Sequence, residues 1–265
     1  MTRRKILFFS ALTFSLVFVV YDIFLRGSEP LKIGTVEEQT RSAPLRRAAL
    51  VLDDFGYNKR NLAALKELDV PITLAVLPHT PYAKDICAFA DENGFEVILH
   101  LPMQPEGAGA PVEKNTINAD MDEAAVRKTI ADALMSVPNA KGVSSHMGSK
   151  ATKDARLMSI VFNELKNRDL FFLDSFTSGE SVCREEAKLA GVTYFRRDIF
   201  IDNVQEPGDI AERLDEMEAA ADTSRTMVGI GHDRVLTVRV LKESAAGMNE
   251  KGVELVFLSD ELEQK

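Results

Sequence analysis

The sequence is poor in several features that define large classes of proteins. It has only two cysteines, Cys87 and Cys183, in predicted helices that follow different strands, so two separate core residues are favoured over one disulfide. No basic patch accompanies the net charge of −9, which argues against nucleic acid as a partner. No Gly-x-Gly-x-x-Gly motif follows the first predicted strand, and no phosphate-binding loop occurs, so a nucleotide-binding fold has no support.

The amino-terminal segment has the pattern of an export signal. Residues 3–5 are basic and precede an apolar run over 6–20, which resumes at 23–25. No Ala-x-Ala triplet follows, so an uncleaved anchor is favoured over a cleaved signal peptide for residues 1–25. The basic flank then keeps the amino terminus in the cytoplasm. The rest of the chain is predicted to be periplasmic or otherwise extracytoplasmic, anchored to or exported across the inner membrane.

The remaining chain is predicted to form a polar tether, residues 26–46, and one domain, residues 47–265. From about Ala48, short apolar strands alternate with amphipathic helices, which predicts βαβ units and a parallel sheet. Seven or eight such repeats fit a closed or nearly closed barrel, with an open doubly wound sheet as the alternative. Strands are predicted near 48–53, 72–77, 95–100, 142–146, 170–174, 192–195, 226–231 and 253–258. One helix face is predicted from Ile210, Leu214, Met217 and Ala221.

Five of the predicted strands end on residues that can bind a metal or transfer a proton. Because the carboxyl ends of parallel strands meet on one face of an α/β fold, these residues are predicted to form an active site. In chain order they are Asp53 with Asp54, then His100, His146, Asp174 and His232.

Asp54, His100 and His146 are predicted to hold one divalent ion. Two imidazoles and a carboxylate leave room for water, a set that suits zinc and admits other divalent ions. Asp53 would then accept a proton, with Gly56 permitting the turn that brings both carboxylates to one site. The alternative for the aspartates is a helix amino-terminal cap.

His232 and Asp174 are predicted to complete the catalytic set. His232, after Gly231, would suit a general acid for the leaving group, and its alternative is a histidine bonded to backbone at a strand end. Asp174 would orient a histidine or stabilise its cation, and its alternative is a cap for the next helix. His79 also follows a strand, but the residues around it resemble a helix start, so it is left out of the site.

These motifs resemble the divergent polysaccharide deacetylase family, distant relatives of the NodB-type carbohydrate esterases. The resemblance covers about residues 47–260 and implies a distorted (β/α) barrel of seven or eight parallel strands. It implies that Asp53 is the base, Asp54 a metal ligand and His232 the general acid. The motifs that carry it are Leu-Asp-Asp-Phe-Gly-Tyr at 52–57, Leu-His-Leu-Pro-Met at 99–103, Glu-Lys-Asn-Thr at 113–116, His-Met-Gly-Ser-Lys at 146–150, Phe-Leu-Asp-Ser at 172–175 and Gly-His at 231–232.

The sequence departs from the wider NodB group at one metal ligand. That group has two metal histidines four residues apart, whereas here Gln104 follows His100, and His146 from a separate strand is the candidate replacement. Asp233 and Arg234 also stand where the resembled family often has a proline.

The resemblance implies a metal-dependent hydrolase that removes acetyl groups from an extracytoplasmic polysaccharide. One divalent ion, with zinc favoured, is the implied cofactor. The implied partners are a cell-wall or other acetylated glycan and, through the amino-terminal segment, the inner membrane. The alternative is a catalytically inactive, membrane-tethered barrel that binds or scaffolds a glycan.

Overall fold

The structure, a computed structural model, describes residues 46–107 and 112–262. The predicted signal or anchor at 1–25 lies outside these residues, as does the predicted tether except for Arg46, which begins the first strand. In the part of the chain that is described, no helix is long and apolar enough to cross a membrane.

Strands and helices alternate along the chain, as the apolar pattern predicts. The strands are β1 Arg46–Phe55, β2 Thr73–Val76, β3 Glu96–Met103, β4 Gly142–Met147, β5 Phe171–Asp174, β6 Tyr194–Arg196, β7 Ile199–Phe200, β8 Met227–His232 and β9 Val253–Leu255. The α-helices are α1 Leu62–Leu65, α2 Ala83–Asn93, α3 Glu123–Ser136, α4 Ala155–Lys166, α5 Cys183–Ala190, α6 Pro207–Ala220, α7 Val235–Ser244 and α8 Ala246–Glu250. Short 3₁₀ helices span Ala151–Lys153 and Leu258–Leu262.

The strands form one parallel sheet that curls into a half-barrel. Its order is β6-β5-β4-β3-β2-β1-β8-β7, and β9 pairs with the start of β1. Six consecutive strands lie side by side without the reversal of order that defines a doubly wound sheet. β8 returns to the far side of β1, as happens when a barrel curls round to its first strand. The predicted (β/α) barrel is therefore confirmed, with β7 as a short strand that is not among the predicted ones.

The core has two layers, one on each face of the sheet. In β1, Leu50 and Leu52 pack against the surrounding helices, whereas Ala49 and Val51 face the inside of the curl. This alternation follows from the two-residue period of a strand. Leu258, in the last 3₁₀ helix, packs into the inner cluster and covers it at the amino-terminal end of the strands.

Two predictions about buried residues are confirmed. Every residue of the predicted helix face lies in the core, on or just after α6: Ile210, Leu214, Met217 and Ala221. Cys87 and Cys183 are each buried and unbridged, because they lie on α2 and α5 on different parts of the sheet.

Candidate active site

The end of β1 presents two consecutive carboxylates to one side of the sheet. Neighbouring strand residues normally point to opposite faces. Here the pairing of β1 with β2 shifts between Leu52 and Phe55, and Asp54 has a positive φ of 69°. Both aspartates consequently approach His100, whose Nε2 lies 3.6 Å from Asp53 Oδ2 and 3.4 Å from Asp54 Oδ1.

Gly56 supports this turn in the way the sequence predicts. Its φ is 126°, a region that residues with a side chain rarely adopt. A Cβ added there would lie 2.1 Å from the Thr80 hydroxyl oxygen. Only glycine can therefore fit this turn without displacing the segment after β2.

Three donor atoms converge beside the turn. Asp54 Oδ1 lies 3.4 Å from His100 Nε2 and 3.2 Å from His146 Nδ1, and the two nitrogens are 3.1 Å apart. β3 and β4 are neighbours in the sheet, which places the two histidines side by side. Ser144 Oγ lies 2.7 Å from His100 Nδ1, which fixes the ring with its other nitrogen toward the convergence point. The structure thus brings together the predicted ligands Asp54, His100 and His146.

The donor set fits a divalent ion. Three ligands at about 2.1 Å from a tetrahedral ion lie about 3.4 Å from one another, close to the separations observed here. Asp53 Oδ1 and Asp54 Oδ1 are buried and have no hydrogen-bond partner. Leaving buried polar atoms unpaired is costly, and a bound cation would remove that cost.

The two aspartates differ in acidity because their surroundings differ. Burial raises the pKa of Asp53, with His100 and His232 opposing the shift. Burial alone would also raise the pKa of Asp54, but the close His100 and His146 imidazoles hold it well below its usual range. One carboxylate is therefore kept ionised as a ligand, while its neighbour is made more basic, as a proton acceptor requires.

His232 lies beside Asp53 and is held by a buried carboxylate. β1 and β8 are paired so that Asp53 and His232 are direct neighbours. His232 Nδ1 lies 2.7 Å from Asp202 Oδ1, while Asp202 Oδ2 accepts hydrogen bonds from Thr237 Oγ1 and from the His232 amide. Burial lowers the pKa of His232, but the bond to Asp202 outweighs it, so the pKa is raised. The other ring nitrogen, Nε2, makes no hydrogen bond within the described residues.

Asp202 holds the ring of His232, whereas the sequence predicts that Asp174 orients a histidine. The Asp174 carboxylate accepts hydrogen bonds from the Phe176 amide at 2.8 Å, Ser181 Oγ at 2.7 Å and the Tyr194 hydroxyl at 3.1 Å. No histidine is among its partners in the described residues. Asp174 therefore braces the loop between β5 and α5, close to its alternative role as a cap. The expectation that it orients a histidine is wrong.

Residues 104–107 and 112–122, the described part of the segment between β3 and α3, form a wall beside the turn after β1. Tyr57 OH donates a 2.5 Å hydrogen bond to Glu113 Oε2, which links this wall to the turn after β1. Gln104 Oε1 accepts a hydrogen bond from the Ala119 amide at 3.0 Å. Gln104 thus holds the wall in place rather than supplying a ligand. His79 is exposed and stays outside the site, as the sequence predicts.

The sequence matches the model of one protein family and is similar to two bacterial proteins that are named as uncharacterised. Residues 50–262 match the model of the family described as divergent polysaccharide deacetylase. The chain is 36% identical over 197 residues to the Escherichia coli protein YibQ, a match that covers 74% of this chain and 61% of YibQ. It is 34% identical over 204 residues to a Haemophilus influenzae protein, covering 77% of this chain and 72% of that protein. The matched part is therefore less than two thirds of YibQ.

Solved structures share the fold. An uncharacterised Agrobacterium tumefaciens protein, ATU2773, has a TM-score of 0.77 at 20% identity and covers 83% of this chain and 90% of its own. A deacetylase solved with its substrate has a TM-score of 0.53 at 13% identity, covering 81% and 89%. A CE4 family pseudoenzyme from Bacillus anthracis has a TM-score of 0.50 at 14% identity, covering 82% and 66%. At these low sequence identities, the similarity to solved structures establishes the fold alone.

Proposed function

The chain belongs to the divergent polysaccharide deacetylase family, and we propose that it is a metal-dependent hydrolase that removes acetyl groups from an extracytoplasmic polysaccharide. The observation that carries the proposal is the convergence of Asp54, His100 and His146 donor atoms within 3.4 Å of one another, beside the buried Asp53, whose Oδ1 has no hydrogen-bond partner. This arrangement combines a cation site with a proton acceptor, which is the requirement for hydrolysing an amide or ester with water.

Asp54, His100 and His146 would hold the ion, and zinc suits these donors. Such an ion supplies Lewis acidity, which favours attack by water and stabilises negative charge on an acyl oxygen. Asp53 accepts the proton of the attacking water, because its Oδ1 is free of other partners and its pKa is raised. Ser144 keeps His100 in the orientation that points Nε2 into the site.

His232 completes the reaction by protonating the departing sugar nitrogen or oxygen. Asp202 engages Nδ1, so Nε2 carries the proton that is transferred. Asp202 also favours the protonated ring, since it raises the pKa of His232. The acid is therefore protonated to a greater extent at a given pH than an ordinary histidine, while Asp53 beside it acts as the base.

The proposed substrate is an acetylated glycan of the cell wall. The solved deacetylase with this fold supports that substrate class, as does the family description. The amino-terminal pattern of basic residues followed by an apolar run supports export, so we place the protein at the periplasmic side of the inner membrane.

A second candidate function is a glycan-binding or scaffolding barrel without turnover. Gln104 favours it, because this side chain occupies the position four residues after His100 and is engaged with the backbone of the wall. A protein of the same fold is described as a pseudoenzyme, which supports this second function.

Acetate release separates the two functions. The full chain, loaded with zinc, is incubated with chitin oligosaccharides, acetylated xylan and peptidoglycan, and free acetate is measured against the Asp53→Asn variant. We expect the wild type to release acetate from at least one substrate and the variant to release far less. Binding of a glycan without acetate release, in protein that carries the ion, would favour the scaffolding function.

A further inference from the structure

A cavity that contains none of the candidate active-site residues lies where the sheet is not closed. β6 and β7 end the ladder, and within the described strands they do not pair with each other. Between β6 and the start of β8 is this cavity of about 290 Å³, whose lining includes Arg184, Arg196 and Thr226. Thr226 precedes β8, whereas His232 ends it, so Thr226 lies six residues, or about 20 Å of strand, from the proposed proton donor.

The cavity has an excess of positive charge that no carboxylate of the described residues neutralises. Three guanidinium groups and two carboxylates line it. Arg225 donates to both oxygens of Asp198, at 2.7 and 2.8 Å, and Arg47 donates to Glu261 at 3.0 Å. Both carboxylates are thus already paired. Arg184 and Arg196, the other two arginines of the lining, have no carboxylate of the cavity to pair with.

Arg184 and Arg196 are held in position by aromatic rings rather than by acids. The Arg184 guanidinium lies 5.1 Å from the centre of the Tyr194 ring, and that of Arg196 lies 4.6 Å from the Phe176 ring. Neither has a carboxylate partner among the described residues. A guanidinium stacked on a ring keeps its N–H groups free at its edge. These edges are suited to the paired oxygens of a carboxylate or phosphate.

Thr226 supplies a further polar group that lacks a partner. Its side chain is 7% exposed, and its hydroxyl oxygen has no hydrogen-bond partner. Native structures contain few such atoms, because an unpaired buried hydroxyl is costly. A rotation about its χ1 angle would let the hydroxyl donate to an anion in the cavity.

We infer that this cavity binds a small molecule bearing an oxyanion, either a phosphate or a carboxylate group. Arg184 and Arg196 bind the anion through their free N–H edges, and Thr226 adds a hydroxyl donor. The volume is sufficient for one small ligand. The site is independent of the metal ligands and of the proposed hydrolysis.

Calorimetric titration of the full chain tests the inference. The titrations use an Asp54→Ala background, so that an ion in the active site cannot itself bind the added anion. Inorganic phosphate and D-glucuronate are the two probes, and the tighter of them identifies the preferred oxyanion. We expect saturable binding at one site per chain for at least one probe.

Variants connect the binding to the cavity. Arg184→Ala and Arg196→Ala should each weaken binding at least about tenfold, the effect of losing a charged hydrogen bond. Arg184→Lys and Arg196→Lys retain the charge and the stem but lose the planar fork, and they should also weaken it. Thr226→Val, nearly the same shape, should weaken it a few-fold. Arg239→Ala, an exposed arginine on α7, is the control and should bind as the parent does.

Two results would overturn the inference. One is the absence of saturable binding for both probes. The other is equal affinity in the parent, the alanine variants and the lysine variants, which would show that the anion binds elsewhere. Circular dichroism and melting curves establish that each variant is folded, and the lysine variants remain informative if an alanine variant is not.

Discussion

The two sides of the candidate active site differ in how their polar atoms are satisfied. On the ligand side, formed by Asp54, His100 and His146, donor atoms converge on one another, and a buried carboxylate oxygen has no hydrogen-bond partner. On the proton-donor side, formed by Asp202 and His232, both carboxylate oxygens of Asp202 are engaged by the protein. The ligand side therefore depends on something the chain does not supply, whereas the proton-donor side is complete by itself.

This difference decides how each side should respond to mutation and to added metal. Removing a ligand should abolish ion binding and turnover together. Removing the partner of His232 should leave the ion in place and change the acidity of the proton donor. The comparison fails if the two sides respond alike.

The largest effect is expected for Asp54→Ala. This change removes one of the three ligand side chains, Asp54, His100 and His146, that form the donor triangle. The variant should lose the bound ion and all measurable acetate release, because two imidazoles alone make a poor site for a divalent cation. Elemental analysis of the purified full chain measures the ion directly. His146→Ala should behave in the same way.

His79→Ala is the matched control for these ligand variants. This histidine also follows a strand but is exposed and outside the site, so its removal should leave the ion content unchanged. A full complement of metal in Asp54→Ala or His146→Ala would show that these side chains are not ligands.

The next largest effect is expected for Asp53→Asn. The change keeps the shape of the side chain but removes the proton acceptor, so turnover should fall about a thousandfold. The ion should remain, because Asp53 is not part of the donor triangle. Elemental analysis and acetate release on the same preparation check both statements. Loss of the ion together with turnover would place Asp53 among the ligands instead.

The position of these residues could be predicted from the sequence because it depends on strand polarity. The sequence places Asp53, His100, His146 and His232 at the ends of predicted strands, and parallel strands bring such ends to one face of the sheet. In the structure β3 continues to Met103, so His100 lies within its strand rather than at its end. The alternation of β1 between two core layers is equally local, since it needs only the period of a strand.

Asp202 could not be assigned in the same way, because its role depends on tertiary register. It follows Ile-Phe-Ile at 199–201, a run with the same pattern as the other strand ends. The strand is only two residues long, and the pairing of β7 with β8 is what brings Asp202 to His232. Asp174 was misassigned for a related reason. Its carboxylate accepts hydrogen bonds from the Phe176 amide, Ser181 and Tyr194, and the strand-end pattern does not indicate these partners.

Added zinc should stabilise the wild type by a smaller but measurable amount. At one hundred times its dissociation constant, a ligand that binds only the folded state raises the free energy of unfolding by about 2.7 kcal/mol. Thermal or urea unfolding of metal-free protein, with and without zinc, measures this. The Asp202→Asn variant should gain as much as the wild type, whereas Asp54→Ala should gain little. Equal gains in all three proteins would place the zinc elsewhere.

The smallest effect is expected for Asp202→Asn. The test lies in the direction in which the pH dependence of turnover moves, more than in the size of the change. Asp202 raises the pKa of His232, so its loss should lower that pKa and leave less of the acid protonated at a given pH. The alkaline limb of turnover should therefore move to lower pH, with a fall of about tenfold near neutrality, part of what a general acid supplies.

The pH profile of Asp174→Asn is the control for this prediction. Asp174 and Asp202 are both 0% exposed, and each carboxylate takes part in three hydrogen bonds. The two substitutions should therefore destabilise the fold to a similar extent. Asp174→Asn should lower the melting temperature without moving the alkaline limb, because no histidine contacts it in the described residues. An unmoved limb in Asp202→Asn would mean that His232 is not the proton donor. The proton-donor side would then be a structural pair, and the ligand side alone would carry the chemistry.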